Sequence, residues 1–165
     1  MESADFWIDQ LNLEAHPEGG YYKEVYRNPG NIQIMEEGGT RNLATSIYFL
    51  LKHKDKSHFH QLKSDELWYF HKGQPAVVHI LEAGGYRREI LGSDISKGHS
   101  LQVVIPRESI FAAEVLDSAG DDYTLMGCMV NPGFDFKDFR MVEAEELHTK
   151  FPEHQTLIEK FAIKG

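Results

Sequence analysis

One cysteine, Cys128, is all that the 165 residues contain, so no internal disulfide can staple the fold. It lies in the run YTLMGCMV, where a buried strand thiol is expected rather than a reactive one. Positive charge is also scarce: 17 Lys and Arg face 26 Asp and Glu, a formal net charge of −9. Such a chain lacks the basic stripe that a nucleic-acid backbone demands, so no nucleic-acid partner is expected. One phosphorylated small molecule, which needs only a few local cations, is still allowed. No apolar run approaches the ~20 residues that span a bilayer, so no membrane partner is expected either. The opening MESADFWIDQLNLEAH is acidic and broken by charges, unlike a secretory signal, and a cytoplasmic location is the expectation. Repeats and low-complexity linkers are missing as well, and 1–165 reads as a single domain.

Aromatic residues, by contrast, are plentiful: 10 Phe, 7 Tyr and 2 Trp favour a β-rich core. Short aromatic and β-branched runs follow Gly20: YYKEVYR, IQIM, LATSIYFLL, SHFHQL, ELWYFH, AVVHILE, YRREIL, LQVVIP, IFAAEVL and YTLMGCMV. Turns such as NPGN, EEGG, HKGQP, EAGG and DSAGDD separate them. Roughly ten strands at this spacing predict an all-β sandwich or barrel, which protects its edges. Ser3 is placed to cap a short helix carrying Phe6, Trp7, Ile8 and Leu11, with HPEGG ending it. Leu157, Ile158 and Phe161 have helical spacing at the other end. The barrel is expected at about 20–142 and C-terminal helices at about 143–164.

The stretch SHFHQLKSDELWYFHKG carries the chemistry. In a strand, i and i+2 share a face, so His58 and His60 are expected to point the same way. On the returning strand Asp65 and Glu66 face opposite sides, and one of them can meet the histidines. Two imidazoles and a carboxylate suit a divalent metal; they equally suit a histidine base held by a carboxylate. Trp68 and Phe70 share the parity of Glu66 and are placed either to stack on a ligand ring or to pack the core without one. Lys23, Val25 and Arg27 share a strand face, which reads either as a solvated edge or as two cations for a phosphate or carboxylate, and Arg41 has the same two readings. His16 and Glu18 could line a pocket, although HPEGG also reads as a simple turn with glycines at positive φ. Phe134, Phe136 and Phe139 are expected to pack on the barrel, with Asp135 and Asp138 facing solvent. His71, His79 and His99 read as surface or hydrogen-bonded histidines.

The spacing His58-x-His60, five residues, Glu66, six residues, Gly73 resembles the first signature of the cupins. In GHSLQVVIPRESIFAAEVL, which resembles the second, Pro106 fits, but Glu108 replaces the usual glycine and Phe111 the usual histidine. HPEGGYYKEVYR, SIYFLL, SHFHQLKSDELW, QVVIP and GCMVNPGFDFKDF together resemble one small cupin family of unknown function. The resemblance implies a double-stranded β-helix (jelly-roll) barrel with short terminal helices, a cavity for a small molecule, and a homodimer. A divalent metal on His58, His60 and Glu66 is possible but not favoured, because a phenyl ring at Phe111 cannot coordinate it; Phe111 would instead wall a ligand. The chain is also similar in outline to cupin epimerases of deoxythymidine-diphosphate sugars. By that likeness His60 is the base, Glu66 or Asp65 its orienting group and Tyr48 the acid, acting on a nucleotide or nucleotide-sugar. Periodicity leaves open whether Tyr48 faces the interior, since Ile47, Phe49 and Leu51 are apolar too.

Overall fold

A computed structural model describes residues 1–35 and 39–164; most of the EEGG turn expected at 36–39 lies outside the described residues. The Ser3 hydroxyl accepts from the Phe6 N–H at 3.1 Å and caps α1 (Ala4–Leu11). That helix ends before HPEGG, contrary to the sequence expectation. Asn12 adopts a left-handed conformation at φ 54°, and its N–H closes the last turn.

The strands then follow in chain order: β1 (Glu14–Ala15), β2 (Tyr21–Arg27), β3 (Asn31–Gln33), β4 (Thr40–Asn42), β5 (Thr45–Lys52), β6 (Lys56–Leu62) and β7 (Asp65–Gly73). After them come β8 (Ala76–Glu82), β9 (Gly85–Leu91), β10 (Gln102–Ile105), β11 (Ile110–Val115), β12 (Tyr123–Asn131) and β13 (Phe139–Met141). Two helices, α2 (Ala144–Lys150) and α3 (Gln155–Phe161), close the chain. All the expected strands form; β1, β4 and β13 add two or three residues each, too short to leave a pattern.

The strands build a jelly-roll of two antiparallel sheets, ordered β1-β2-β5-β12-β7-β10 and β13-β6-β11-β8-β9, with β3-β4 as a separate hairpin. Alternate residues of both sheets fill the space between them, among them Phe49, Trp68, Ile80, Ile105, Phe111 and Met126. The outer face of the five-stranded sheet is closed by Leu147, Ile158 and Phe161, packed on Phe59, Leu81 and Ile110. The six-stranded sheet has a smaller cover, with Trp7, Ile8 and Leu11 packed on Leu50 and Leu125. No described helix is long and apolar enough to cross a membrane.

Of the three β-bulges in the described strands, two decide which side chains reach the space near His60. Phe111 pairs with His60 and Ala113 with Ser57, so His58 and Phe59 together oppose Ala112. On β2, Glu24 pairs with Ile47 and Tyr26 with Ser46, leaving Val25 as the extra residue. Each bulge shifts the inward–outward alternation by one residue.

Candidate functional site

A cavity of about 430 Å³ opens between the sheets. His16, Glu18, Tyr22, Glu24, Arg27, His60, Glu66 and the phenyl rings of Phe134, Phe136 and Phe139 line it, with Ile47, Leu62 and Val130 among the apolar walls. β2, β5, β6, β7, β12 and β13 each contribute one to three of these residues, and the HPEGG turn contributes the Glu18 carboxylate.

That turn is pressed onto β6. Gly19 and Gly20 sit at φ +110° and +77°, and a Cβ at Gly19 would run into the Lys56 carbonyl. The His58 backbone N–H donates to the Glu18 carbonyl at 2.8 Å, and the His58 ring donates Nδ1–H to the same oxygen at 2.9 Å. Glu18 is thereby fixed with its carboxylate Oε2 2.7 Å from His60 Nε2, both side chains being buried. His60 in turn donates Nδ1–H to the His58 carbonyl at 2.7 Å.

The charges follow from these contacts. Burial opposes an imidazolium at His60, but the negative charge and hydrogen bond of Glu18, helped by Glu66, raise its pKa above the ordinary value. Burial likewise opposes a charged Glu18, and the adjoining His60 outweighs it and holds that carboxyl below its usual range. Both shifts favour an imidazolium paired with a carboxylate. Glu66 has no such partner. Burial, then the charge of Glu18, pushes it up to about 7, although its Oε1 accepts from Trp68 Nε1–H at 2.9 Å. His16 is lowered, first by burial, and its Nδ1 accepts from the Glu18 N–H at 3.1 Å. A neutral His16 thus carries its proton on Nε2.

Several sequence expectations are corrected by this geometry. His58 and His60 do not share the cavity, because the β6 bulge intervenes; His58 anchors the Glu18 turn. The orienting partner of His60 is Glu18, while Asp65 is exposed and caps the Arg107 N–H at 2.8 Å. Tyr48 points outward: Phe49 and Leu51 fill the interior, whereas Tyr48 and Leu50 pack beneath α1. The Val25 bulge separates Lys23 from Arg27, so Arg27 lines the cavity and Lys23, paired with Tyr48, does not. Trp68 and Phe111 are buried core side chains behind His60 and Glu66, and Phe70 packs against the same core. Phe111 lies with its ring centroid 4.1 Å from that of His60.

Arg41 and Asp138 form a buried bidentate pair at 2.7 and 2.8 Å, so Arg41 offers nothing to a ligand and Asp138 does not face solvent. Cys128 is buried beside Glu66 and Glu18, and burial pushes its thiol well above the ordinary range. Glu18 is the site residue that sequence reasoning underweighted. Its signal was the pair of glycines beside it, which mark a close approach of two backbones as well as a turn.

The proposed ligand set for a divalent metal is not assembled here: His60 and Glu66 line the cavity, whereas His58 does not. Among the described residues no three His, Cys, Asp or Glu side chains are grouped to hold a metal ion.

A protein family described as the Cupin superfamily (DUF985) matches residues 5–142. The chain belongs to this cupin family. A hypothetical protein from Leishmania major is similar to this cupin over 99% of this chain and 100% of that one, at 36% identity and a TM-score of 0.92. The crystal structure of a Shewanella oneidensis protein is similar over the whole of both chains, at 37% identity and a TM-score of 0.88. An uncharacterized Saccharomyces cerevisiae protein is 30% identical over 161 residues, covering 84% of this cupin and 75% of the relative. Family membership points to small-molecule binding and names no ligand.

Proposed function

We propose that this cupin binds a compact organic molecule in the cavity and moves a proton on it, an isomerase- or epimerase-type reaction beside a carbonyl. One observation carries the reading: two carboxyls share a buried cavity with His60, and their surroundings move them in opposite directions, Glu18 down beside the imidazole and Glu66 up to about 7. Glu66, poised near neutrality, takes the proton from carbon and returns it. His60 cannot offer a free N–H, so it acts through its charge, which favours negative charge developing on a substrate oxygen. Glu18 keeps that charge in place. His16, with its proton on Nε2, is the neutral donor suited to the carbonyl oxygen.

A nucleotide or nucleotide-sugar would set its phosphate at Arg27 and its ring against the aromatic wall. Arg27 is already held by Glu24 at 2.6 and 3.3 Å, so such a phosphate would have to compete with that carboxylate. No step is assigned to a metal, since the donor set does not fit one. The family resemblance implies a homodimer, for which light scattering would show twice the 18.9 kDa chain mass.

The test is solvent exchange. Hydroxyketones, keto sugars and deoxythymidine-diphosphate sugars are incubated singly in deuterated buffer and followed by NMR. At least one should gain deuterium, and Glu66→Gln should slow the gain by roughly 10²–10⁴-fold. Unchanged exchange in Glu66→Gln overturns the assignment. A compound that binds and never exchanges leaves the cavity as a receptor without catalysis.

A further inference from the structure

We infer that the molecule taken by this cavity carries a positive charge: a compact amine whose apolar body lies against Phe134, Phe136 and Phe139. The inference rests on the cavity being the ligand site, as proposed above, and adds the class of ligand.

The charge count comes first. Four carboxyl side chains line the cavity, Glu18, Glu24, Glu66 and Asp135, against two cations, Arg27 and His60. Arg27 is consumed: Glu24 holds it bidentately, Asn42 Oδ1 accepts at 2.8 Å and the Phe134 carbonyl at 3.1 Å. His60 is paired with Glu18 at 2.7 Å. Asp135 accepts only the backbone N–H of Lys137 at 2.9 Å among the described hydrogen bonds, and Glu66 only the Trp68 indole. Two cavity carboxyls, Asp135 and Glu66, thus have no salt-bridge partner among the described residues; Glu66 is only partly ionised near neutrality, and Asp135 is the charge that an anionic ligand would meet.

The rings supply the second, independent observation. Phe134 and Phe136 stand 4.8 Å apart at 85°, Phe136 and Phe139 6.1 Å apart at 84°, and Phe134 and Phe139 5.9 Å apart at 58°. Three steeply inclined rings make a corner. Phe136 is 55% exposed, an apolar ring left open at the mouth. Electron-rich ring faces attract cations, best where nearby carboxylates add to the field. The described lysine–ring contacts involve Trp7, Tyr21 and Phe161, so no lysine fills this corner.

The experiment compares three probes of one shape, benzylamine, benzyl alcohol and benzoate, by calorimetric titration of the full chain. Benzylamine should bind about tenfold tighter than benzyl alcohol, and benzoate weakest. Phe136→Ala and Asp135→Asn should each weaken benzylamine about three- to tenfold. Both are open positions, and Asn preserves the cap on Lys137, so the thermal midpoint should hold. Equal affinity for amine and alcohol, tighter benzoate, no binding of any probe, or indifference to Phe136→Ala would overturn the inference. The two proposals fail separately: a bound amine that never exchanges protons sinks the acid–base role alone, and exchange on an anionic compound sinks this one.

Discussion

At the scale of single residues, Glu66 and Glu18 make opposite demands on pH. Glu66 in the folded chain titrates at about 7 against an ordinary 4.5. Between those values the folded chain keeps a proton that the unfolded chain has released, so this group's contribution to stability falls as pH rises from 4.5 to 7. The full difference is roughly 3 kcal/mol. Glu66→Gln removes that cost while keeping an oxygen for Trp68. Melting curves should therefore show little gap from the parent at pH 5 and a more stable variant at pH 8, by up to about 6–12 °C. A gap that stays constant would mean that Glu66 does not titrate in this window. Glu18 is held low, so its contribution is present above its ordinary value and lost as pH falls below it. Glu18→Gln leaves His60 buried without its counter-charge and should cost about 3–5 kcal/mol. In that variant burial should carry the His60 imidazole below its ordinary value, readable by NMR titration of the ring protons.

At the scale of elements, the turn before β2 and its contact with β6 set the site. Gly19 and Gly85 have nearly the same φ, +110° and +112°, yet only Gly19 abuts another backbone. Gly85→Ala should cost only the left-handed strain, about 1–2 kcal/mol. Gly19→Ala should cost well over 3 kcal/mol, because the turn must lift from Lys56 and take Glu18 from His60. Denaturant unfolding of the two variants gives the comparison, and equal losses would remove the close approach as the cause. The same elements explain what could be read in advance. Strands were legible because aromatic and β-branched runs between turns need no knowledge of their neighbours. The faces were not. A bulge leaves composition untouched and depends on the partner strand, so alternation misplaced His58 on β6 and Lys23 on β2. Tyr48 was undecidable for another reason: β5 is covered on both faces, by the inter-sheet core and by α1, and so has no polar face to read. The Arg41–Asp138 pair spans 97 residues and has no local sign.

At the scale of the whole molecule, the site strand is held from both sides. β6 presents His60 to the cavity and Phe59 to the outer cluster, where Phe161 of α3 meets it with ring centroids 6.0 Å apart. The lysines at positions 56 and 160 lie over the same Phe161 ring, at 5.7 and 5.2 Å. The C-terminal helix thus buttresses the strand on the face opposite the ligand. Phe161→Ala should leave a hole in that cluster and cost about 3–5 kcal/mol, a fall of roughly 6–20 °C in the melting midpoint. Ligand affinity, measured well below the new midpoint, should change little, because Phe161 touches no cavity residue except through β6. If affinity falls more than tenfold in protein that is still folded, α3 does more than stabilise: it would set the height of His60 against Glu18. The His60 ring-proton titration separates these outcomes, since only a displaced pair would lose the raised imidazole pKa.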